Sequence, residues 1–288
     1  MPDTPAAEDS LRHWHRWLTD RLAAYTDIPA QEARWLLEEV LSSRTQLWTH
    51  PDTVLGASGR MRLLQMLTRR EQGEPLPYCL GHWPFFDLDL RVDARVLIPR
   101  PDTEILVQWA LQHLPADGPV LDLGTGSGAI ILALAQAHPD GEYWAVERSA
   151  AALRLAQENA DRLGLPVHWC AGNWCAALPP GARFSLVLSN PPYLAADDPH
   201  LLALAAEPQE ALVAGPTGLE AFVDILACLP EHLLPGARLG LEHGAEQGRS
   251  VRALLAAHGW QDVVTERDLA GRERMSSGVW REENARTA

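Results

Sequence analysis

Four consecutive residues, Asn190-Pro-Pro-Tyr193, place an amide, two rings without N–H groups and an aromatic face directly after the apolar run Phe184 to Ser189. The chemistry such a set suits is transfer of a group to a planar, amide-type nitrogen. That nitrogen is a poor nucleophile because its lone pair is delocalised. The Asn190 carbonyl and the backbone carbonyl of Pro191 can each accept one of its hydrogens. Pro191 and Pro192 stiffen the loop and add no competing backbone donor. Tyr193 can lie on the flat face of the target. With an activated donor, positioning and electrostatics supply much of the catalysis, and no strong general base is required before transfer.

A second set could hold such a donor. Asp122-Leu-Gly-Thr-Gly-Ser-Gly128 ends an apolar run and opens a helix. Its glycines let backbone pass close to a ligand, and the helix start offers free N–H groups. Gly124, Gly126 and Ala129 fit the G-x-G-x-x-A dinucleotide spacing, a weak signal alone, since a plain glycine turn reads the same way. Glu147 ends the next strand, where a carboxylate can accept both hydroxyls of a ribose. Asn173 and Trp174 follow the third strand, where an amide can read an adenine edge and an indole can flank its face; a core role for Trp174 is the alternative. Asp122 separates the nucleotide readings. It would repel a pyrophosphate, and it suits the cationic methionine part of S-adenosylmethionine, directly or through water. The methyl donor is therefore favoured over NAD. The expected donor-binding set is Asp122, Gly124, Thr125, Gly126, Ser127, Gly128, Glu147, Asn173, Trp174 and Asn190. The expected catalytic and substrate-binding set is Asn190, Pro191, Pro192 and Tyr193.

The surrounding pattern must position these loops. From Gly118 onward apolar strand-like runs alternate with Ala- and Leu-rich helical stretches: Val120 to Leu123, Tyr143 to Glu147, Val167 to Cys170, Phe184 to Ser189 and Arg238 to His243. This alternation predicts an α/β fold, a Rossmann-like doubly wound parallel sheet. Asp262 to Glu266 and Met275 to Trp280 read as two further strands, one of them a candidate antiparallel strand. Upstream, Leu11, Trp14, Trp17, Leu18 and Leu22 recur at helical spacing, as do Ala33, Leu36, Leu37, Val40 and Leu41. Breaks fall near Ile28-Pro29 and His50-Pro51. A small helical bundle is expected, with its tryptophans in the core. Phe86, Leu88, Leu90 and Val92 alternate with charged residues as a strand would. The domains are read as 1–75, a helical substrate-recognition domain; 76–100, a β-hairpin linker; and 101–288, the methyltransferase domain.

Composition excludes several chemistries. All 24 basic residues are Arg, so lysine Schiff-base and P-loop lysine chemistry are absent. The net charge of −14 argues against a nonspecific nucleic-acid binder. The four cysteines, Cys79, Cys170, Cys175 and Cys228, lack metal-ligand spacing and are expected to be reduced thiols. No metal site is expected. No apolar stretch is long enough to span a bilayer. The start of the chain lacks a basic-then-apolar run, so a cytoplasmic protein is expected.

Beyond these local readings, the sequence resembles the peptide chain release factor N5-glutamine methyltransferases over nearly its whole length. The resemblance rests on Thr68 to Pro75, Leu97-Ile-Pro-Arg-Pro-Asp-Thr-Glu104, Asp122 to Gly128, Ser189 to Tyr193, Glu207-Pro208 with Ala211-Leu212, Leu241-Glu-His-Gly244 with Gln247-Gly248, and Asp268 to Arg274. Asn190 to Tyr193 alone is shared with adenine-N6 and other amino methyltransferases; the 97–104 run is far more specific. The resemblance implies methylation of the glutamine in the Gly-Gly-Gln loop of class 1 release factors, with S-adenosylmethionine as donor. It implies donor contacts at Gly124 to Gly128, Glu147, Trp174 and Asn190, and substrate contacts at Asn190 to Tyr193. Glu147 and Asn173 stand where the family more often has Asp, and no Arg precedes Glu207-Pro208. A class 1 release factor is the expected partner of a monomer that binds neither nucleic acid directly nor membrane. The competing readings are a ribosomal-protein glutamine methyltransferase, an adenine-N6 nucleic-acid methyltransferase and a non-catalytic donor-binding adaptor.

Overall fold

The computed structural model describes residues 4–43, 45–268 and 270–281. The chain divides into two compact units, Met1–His82 and Trp83–Ala288. The division falls inside the stretch read from sequence as a linker. None of the described helices is long and apolar enough to cross a membrane.

The first unit is helical: α1 (Leu11–Leu22), α2 (Pro29–Glu38), α3 (Gln46–Thr49), α4 (Ala57–Glu71) and α5 (Leu76–Leu80). Ser10 caps α1 by accepting from the His13 N–H, and Pro29 opens α2 at a position whose N–H would be unpaired anyway. Leu11, Trp14, Leu18 and Leu22 of α1 are fully buried, as are Ala33, Leu36 and Leu37 of α2. Trp14 and Trp17 meet edge to face, with ring centroids 5.6 Å apart. The tryptophan stripe is core, as its spacing predicts. Glu32 is buried and paired with Arg70 at 2.8 Å, which ties α2 to α4.

A short hairpin, β1 (His82–Phe85) and β2 (Leu88–Arg91), follows. Phe86, read from alternation as part of a strand, is instead at the turn with φ +52°. The sheet elements are then α6 (Glu104–Gln112), β3 (Val120–Leu123), α7 (Ala129–Ala137), β4 (Tyr143–Glu147), α8 (Ala150–Leu163), β5 (His168–Ala171) and β6 (Phe184–Ser189). Two minor strands, β7 (Leu194–Ala195) and β8 (Val213–Gly215), pair with each other. The chain ends with α9 (Glu220–Cys228), β9 (Leu233–Glu242), α10 (Gly248–Ala257), β10 (Gln261–Arg267) and β11 (Glu273–Val279).

The main sheet has seven strands in the order β10-β11-β9-β6-β3-β4-β5. The strands from β9 to β5 are parallel, and β11 is antiparallel to both of its neighbours. Every residue of β3 is buried, as expected for a central strand covered on both faces. Helix α7 is buried from Ala129 to Ala135, so it reads as apolar all round rather than amphipathic. From β3 the chain winds outward through β4 and β5, then returns to the other side of β3 as β6. The crevice at the carboxyl ends of β3 and β6 is the switch point, where doubly wound sheets take their ligands.

The expectation that all cysteines are free thiols is corrected at one pair. Cys175 and Cys228 are joined by a disulfide, 53 residues apart in sequence. The packing of α9 against the turn at Trp174–Ala177 brings them together, a proximity that spacing cannot reveal. Cys79 and Cys170 are free.

Candidate active site

The turn after β3 is held from three directions. Gly124 and Thr125 donate backbone N–H bonds to the Val146 carbonyl of β4 at 2.9 and 3.1 Å. The Gly126 N–H donates to Glu147 Oε2 at 2.9 Å. Asn159, fully buried on α8, donates to the Ser127 carbonyl at 3.0 Å and to the Arg91 carbonyl at 3.1 Å. Gly124 has φ +75°, and a Cβ there would lie 3.3 Å from the Trp174 ring. Gly128 also has positive φ, and a Cβ would meet Leu132 at 2.9 Å. These glycines let the loop and the indole share one confined space.

Beside this turn, at the carboxyl ends of β3 and β6, lies a cleft. Gly124, Thr125, Gly126, Ser127, Glu147, Asn173, Trp174, Asn190 and Pro192 all line it. Four of the sequence-predicted residues do not. Gly128 is buried at the start of α7. Pro191 is buried, and Tyr193 is half-buried behind the rim. Asp122, expected to meet the donor directly or through water, is fully buried beneath the turn and makes no direct contact with the cleft. Its side chain alternates with those of Leu121 and Leu123 along a covered strand, which turns it inward.

Asp122 accepts from Thr125 Oγ1 at 2.6 Å, while its Oδ1 has no hydrogen-bond partner among the described residues. Burial pushes its carboxyl up to about 7; Thr125 and the N–H of Ile131 pull the other way, and Glu147 adds repulsion. Glu147 itself is 8 % exposed. Its Oε1 accepts from the Ser149 N–H at 2.8 Å, so each oxygen is anchored once and keeps a lone pair for a ligand hydroxyl. Trp174 is held at φ +43°, a left-handed conformation rare for a bulky residue.

The roof of the cleft comes from residues the sequence reading gave no role. Pro99, Arg100 and Thr103 line it, with Pro208, Glu210 and Ala211. Arg100 pairs with buried Glu207, and Glu207 Oε2 also accepts from the Ile98 N–H at 3.0 Å. Arg148 donates to the Glu210 carbonyl at 3.0 Å. Arg95 is occupied by Asp93 at 2.8 Å and Glu158 at 3.2 Å. The three arginines around the cleft are thus engaged with protein partners.

At the end of β6, Ser189 Oγ donates to the Leu123 carbonyl at 2.6 Å, joining the two strand ends that carry the loops. Asn190 Nδ2 donates to Thr103 Oγ1 at 3.1 Å. Asn190 Oδ1 accepts nothing among the described residues. Gln247 Nε2 donates to the Tyr193 carbonyl at 2.9 Å and to the Gly218 carbonyl at 3.1 Å, which fixes the exit of the loop. Behind Asn190 is Glu242, 2 % exposed, at the end of β9. Glu242 and Thr103 lie in sequence runs that carried the resemblance, but only their convergence on Asn190 suggests a role.

The residues present fit S-adenosylmethionine. A glycine-rich turn, a strand-end carboxylate with lone pairs to spare and a buried carboxyl beneath the turn suit a ribose and a cation. They do not suit a pyrophosphate.

Comparison with known proteins agrees. The family model for the PrmC N-terminal domain matches residues 13–81, and that for the methyltransferase small domain matches residues 101–213. The chain is 46% identical over 262 residues to the release factor glutamine methyltransferase of Burkholderia pseudomallei, covering 87% of this chain and 92% of that one. It is 41% identical over 272 residues to the Escherichia coli K12 protein of the same name, covering 93% and 98%. A crystal structure of a methyltransferase from Pyrococcus furiosus shares the fold, with TM-score 0.53 at 17% identity over 78% of this chain and all of that one. Motifs, sheet order and relatives agree: the chain belongs to the release factor glutamine methyltransferase family.

Proposed function

We infer that this protein transfers a methyl group from S-adenosylmethionine to the side-chain amide nitrogen, N5, of the glutamine in the Gly-Gly-Gln loop of class 1 peptide chain release factors. The observation that carries the reading is the single cleft shared by the Gly124–Ser127 turn, Glu147 and Asn190. Donor-binding groups and an amide-reading group meet where β3 and β6 end.

When bound, the donor supplies an electrophilic methyl on a sulfonium. Glu147 accepts the ribose hydroxyls with the lone pairs left by its backbone contacts. Asn173 and Trp174 hold the adenine edge and face. Asp122 acts from beneath, on the turn, through Thr125. Asn190 Oδ1 and the Pro191 carbonyl each accept one hydrogen of the target amide, which aligns its lone-pair face with the methyl. Tyr193 supports the flat face of that amide. The gain is orientation and charge placement, and the surplus N–H proton of the methylated amide passes to water after transfer, so no strong base is needed before it.

We assign recognition of the protein substrate to the helical unit, which precedes every donor motif. The protein is read as a cytoplasmic monomer that binds no nucleic acid directly. The discriminating experiment offers labelled S-adenosylmethionine with three acceptors: a class 1 release factor, ribosomal protein and adenine-containing DNA. Label is expected in the release factor. Preferential labelling of either other acceptor would overturn the assignment.

A further inference from the structure

The two ends of an asparagine amide have nearly the same shape, so sterics alone do not decide which end faces a substrate. The methyl-transfer reading requires Asn190 to present its oxygen. Something behind it must therefore demand its NH2. Thr103 is 4 % exposed, and its Oγ1 accepts from Asn190 Nδ2 at 3.1 Å. A threonine hydroxyl has one hydrogen and two lone pairs. If its hydrogen points at Asn190, the amide must turn its oxygen inward; if it points away, the amide must turn its NH2 inward.

Leu241 pairs with Ser189 across β9 and β6, so Glu242 stands beside Asn190, and Thr103 is near enough to act on the same carboxyl. Glu242 is 2 % exposed, and its Oε2 has no hydrogen-bond partner among the described residues. An ionised carboxylate only accepts. It draws the Thr103 hydrogen to itself and leaves the Thr103 lone pairs for Asn190. We propose that Glu242, acting through Thr103, is the positioning residue that fixes which end of the Asn190 amide meets the target nitrogen. The proposal rests on the reading of Asn190 as an acceptor for the glutamine amide.

The groups facing Glu242 agree with this role. Arg274 lies close and favours the ionised form, although it is itself paired with Asp102 at 2.9 Å and Asp268 at 3.1 Å. Asp102 and the Tyr193 hydroxyl face the same carboxylate. His243, the next residue, turns to the other side of the strand and bonds Ser276 Oγ at 2.9 Å. Burial pushes the Glu242 carboxyl up to about 7, against the opposing pull of nearby Thr103, Arg274 and Asn190. Once protonated, Glu242 can donate to Thr103, whose hydrogen is then released toward Asn190. The amide turns over and offers N–H groups to a substrate that needs an acceptor.

The test measures kcat, KM and donor affinity with S-adenosylmethionine and a class 1 release factor, for the wild type and for Glu242→Gln, Thr103→Val and Thr103→Ser. At about pH 8, Glu242→Gln and Thr103→Val are expected to lower kcat by roughly tenfold or more, with donor affinity changed by less than about threefold. Thr103→Ser, which keeps the hydroxyl, should recover most of the rate. The wild-type kcat should fall as pH drops through about 7, and Glu242→Gln should lack that fall. Should Glu242→Gln not fold, Thr103→Val poses the same question with Glu242 intact. Wild-type kcat in both variants, or parallel losses of kcat and donor affinity, would overturn the proposal. A wild-type enzyme that leaves glutamine unmethylated defeats the substrate reading instead, and is told apart by its failure in the unmutated chain.

Discussion

Glu147 Oε2 accepts the Gly126 backbone N–H at 2.9 Å, so the carboxylate at the end of β4 is stitched to the glycine turn after β3. The same side chain anchors the start of α8 through the Ser149 N–H at 2.8 Å. One residue thus sets the distance between two walls of the cleft before any ligand arrives.

Replacing Glu147 by Ala should therefore weaken donor binding by about 1–3 kcal/mol, the range for charge-assisted hydrogen bonds left unmade. The sheet should survive, because Glu147 is the last residue of its strand. Isothermal calorimetry showing unchanged affinity for S-adenosylmethionine would remove Glu147 from the donor site.

Asn190→Asp should nearly abolish transfer and leave much of donor binding intact. The carboxylate loses the N–H donated to Thr103 at 3.1 Å and stands beside buried Glu242 across the β6–β9 register. It would also be drawn to the sulfonium most strongly in the ground state, before the methyl leaves, which raises the barrier. Tyr193→Phe should be much milder, since the ring and not the hydroxyl supports the amide. Single-turnover rates measure both; near-normal transfer by Asn190→Asp would contradict the two-acceptor account of the target amide.

Asp122 gives a pH dependence of stability. Its carboxyl is raised from an ordinary 3.8 to about 7 by burial. Between those values the native chain holds a proton that the unfolded chain has released, so stability falls as pH rises through this window and levels off above it. Asp122→Asn keeps an acceptor for Thr125 and removes the titration. The stability of the variant relative to wild type should grow between about pH 4 and pH 7, by on the order of a few kcal/mol. Urea unfolding at several pH values measures the difference; a pH-independent offset would show that Asp122 does not titrate in this window.

A chain beginning at Trp83, where the second compact unit starts, should bind S-adenosylmethionine if it folds. Its activity should drop far more on intact release factor than on a short Gly-Gly-Gln peptide, because the helical unit is assigned to the protein substrate. Equal losses on both would contradict that division.

The sequence reads most clearly where one physical signal suffices. Val120–Leu123, Tyr143–Glu147 and Phe184–Ser189 are strands with the bounds their apolar runs predict, because buried parallel strands are apolar on both faces. Strand β9 begins at Leu233, before the predicted Arg238, because Pro235 and Gly236 mask its first half. The chemistry-bearing residues were legible by type, but their orientation was not. Asp122 has the right charge for a donor contact, but its burial beneath the turn and its bond to Thr125 were not legible. Thr103, Asn190 and Glu242 come from three distant parts of the chain, and no spacing rule links them. The Cys175–Cys228 pair was hidden for the same reason.

The central claim is the identity of the atom methylated. Incubating the protein with S-adenosylmethionine and a class 1 release factor, then fragmenting the product by tandem mass spectrometry, locates it directly. One added methyl on the side-chain nitrogen of the Gly-Gly-Gln glutamine, absent when Asn190→Asp replaces the wild type, is the predicted result. A methyl on any other residue, or an unmodified glutamine with active wild-type enzyme, would contradict the account.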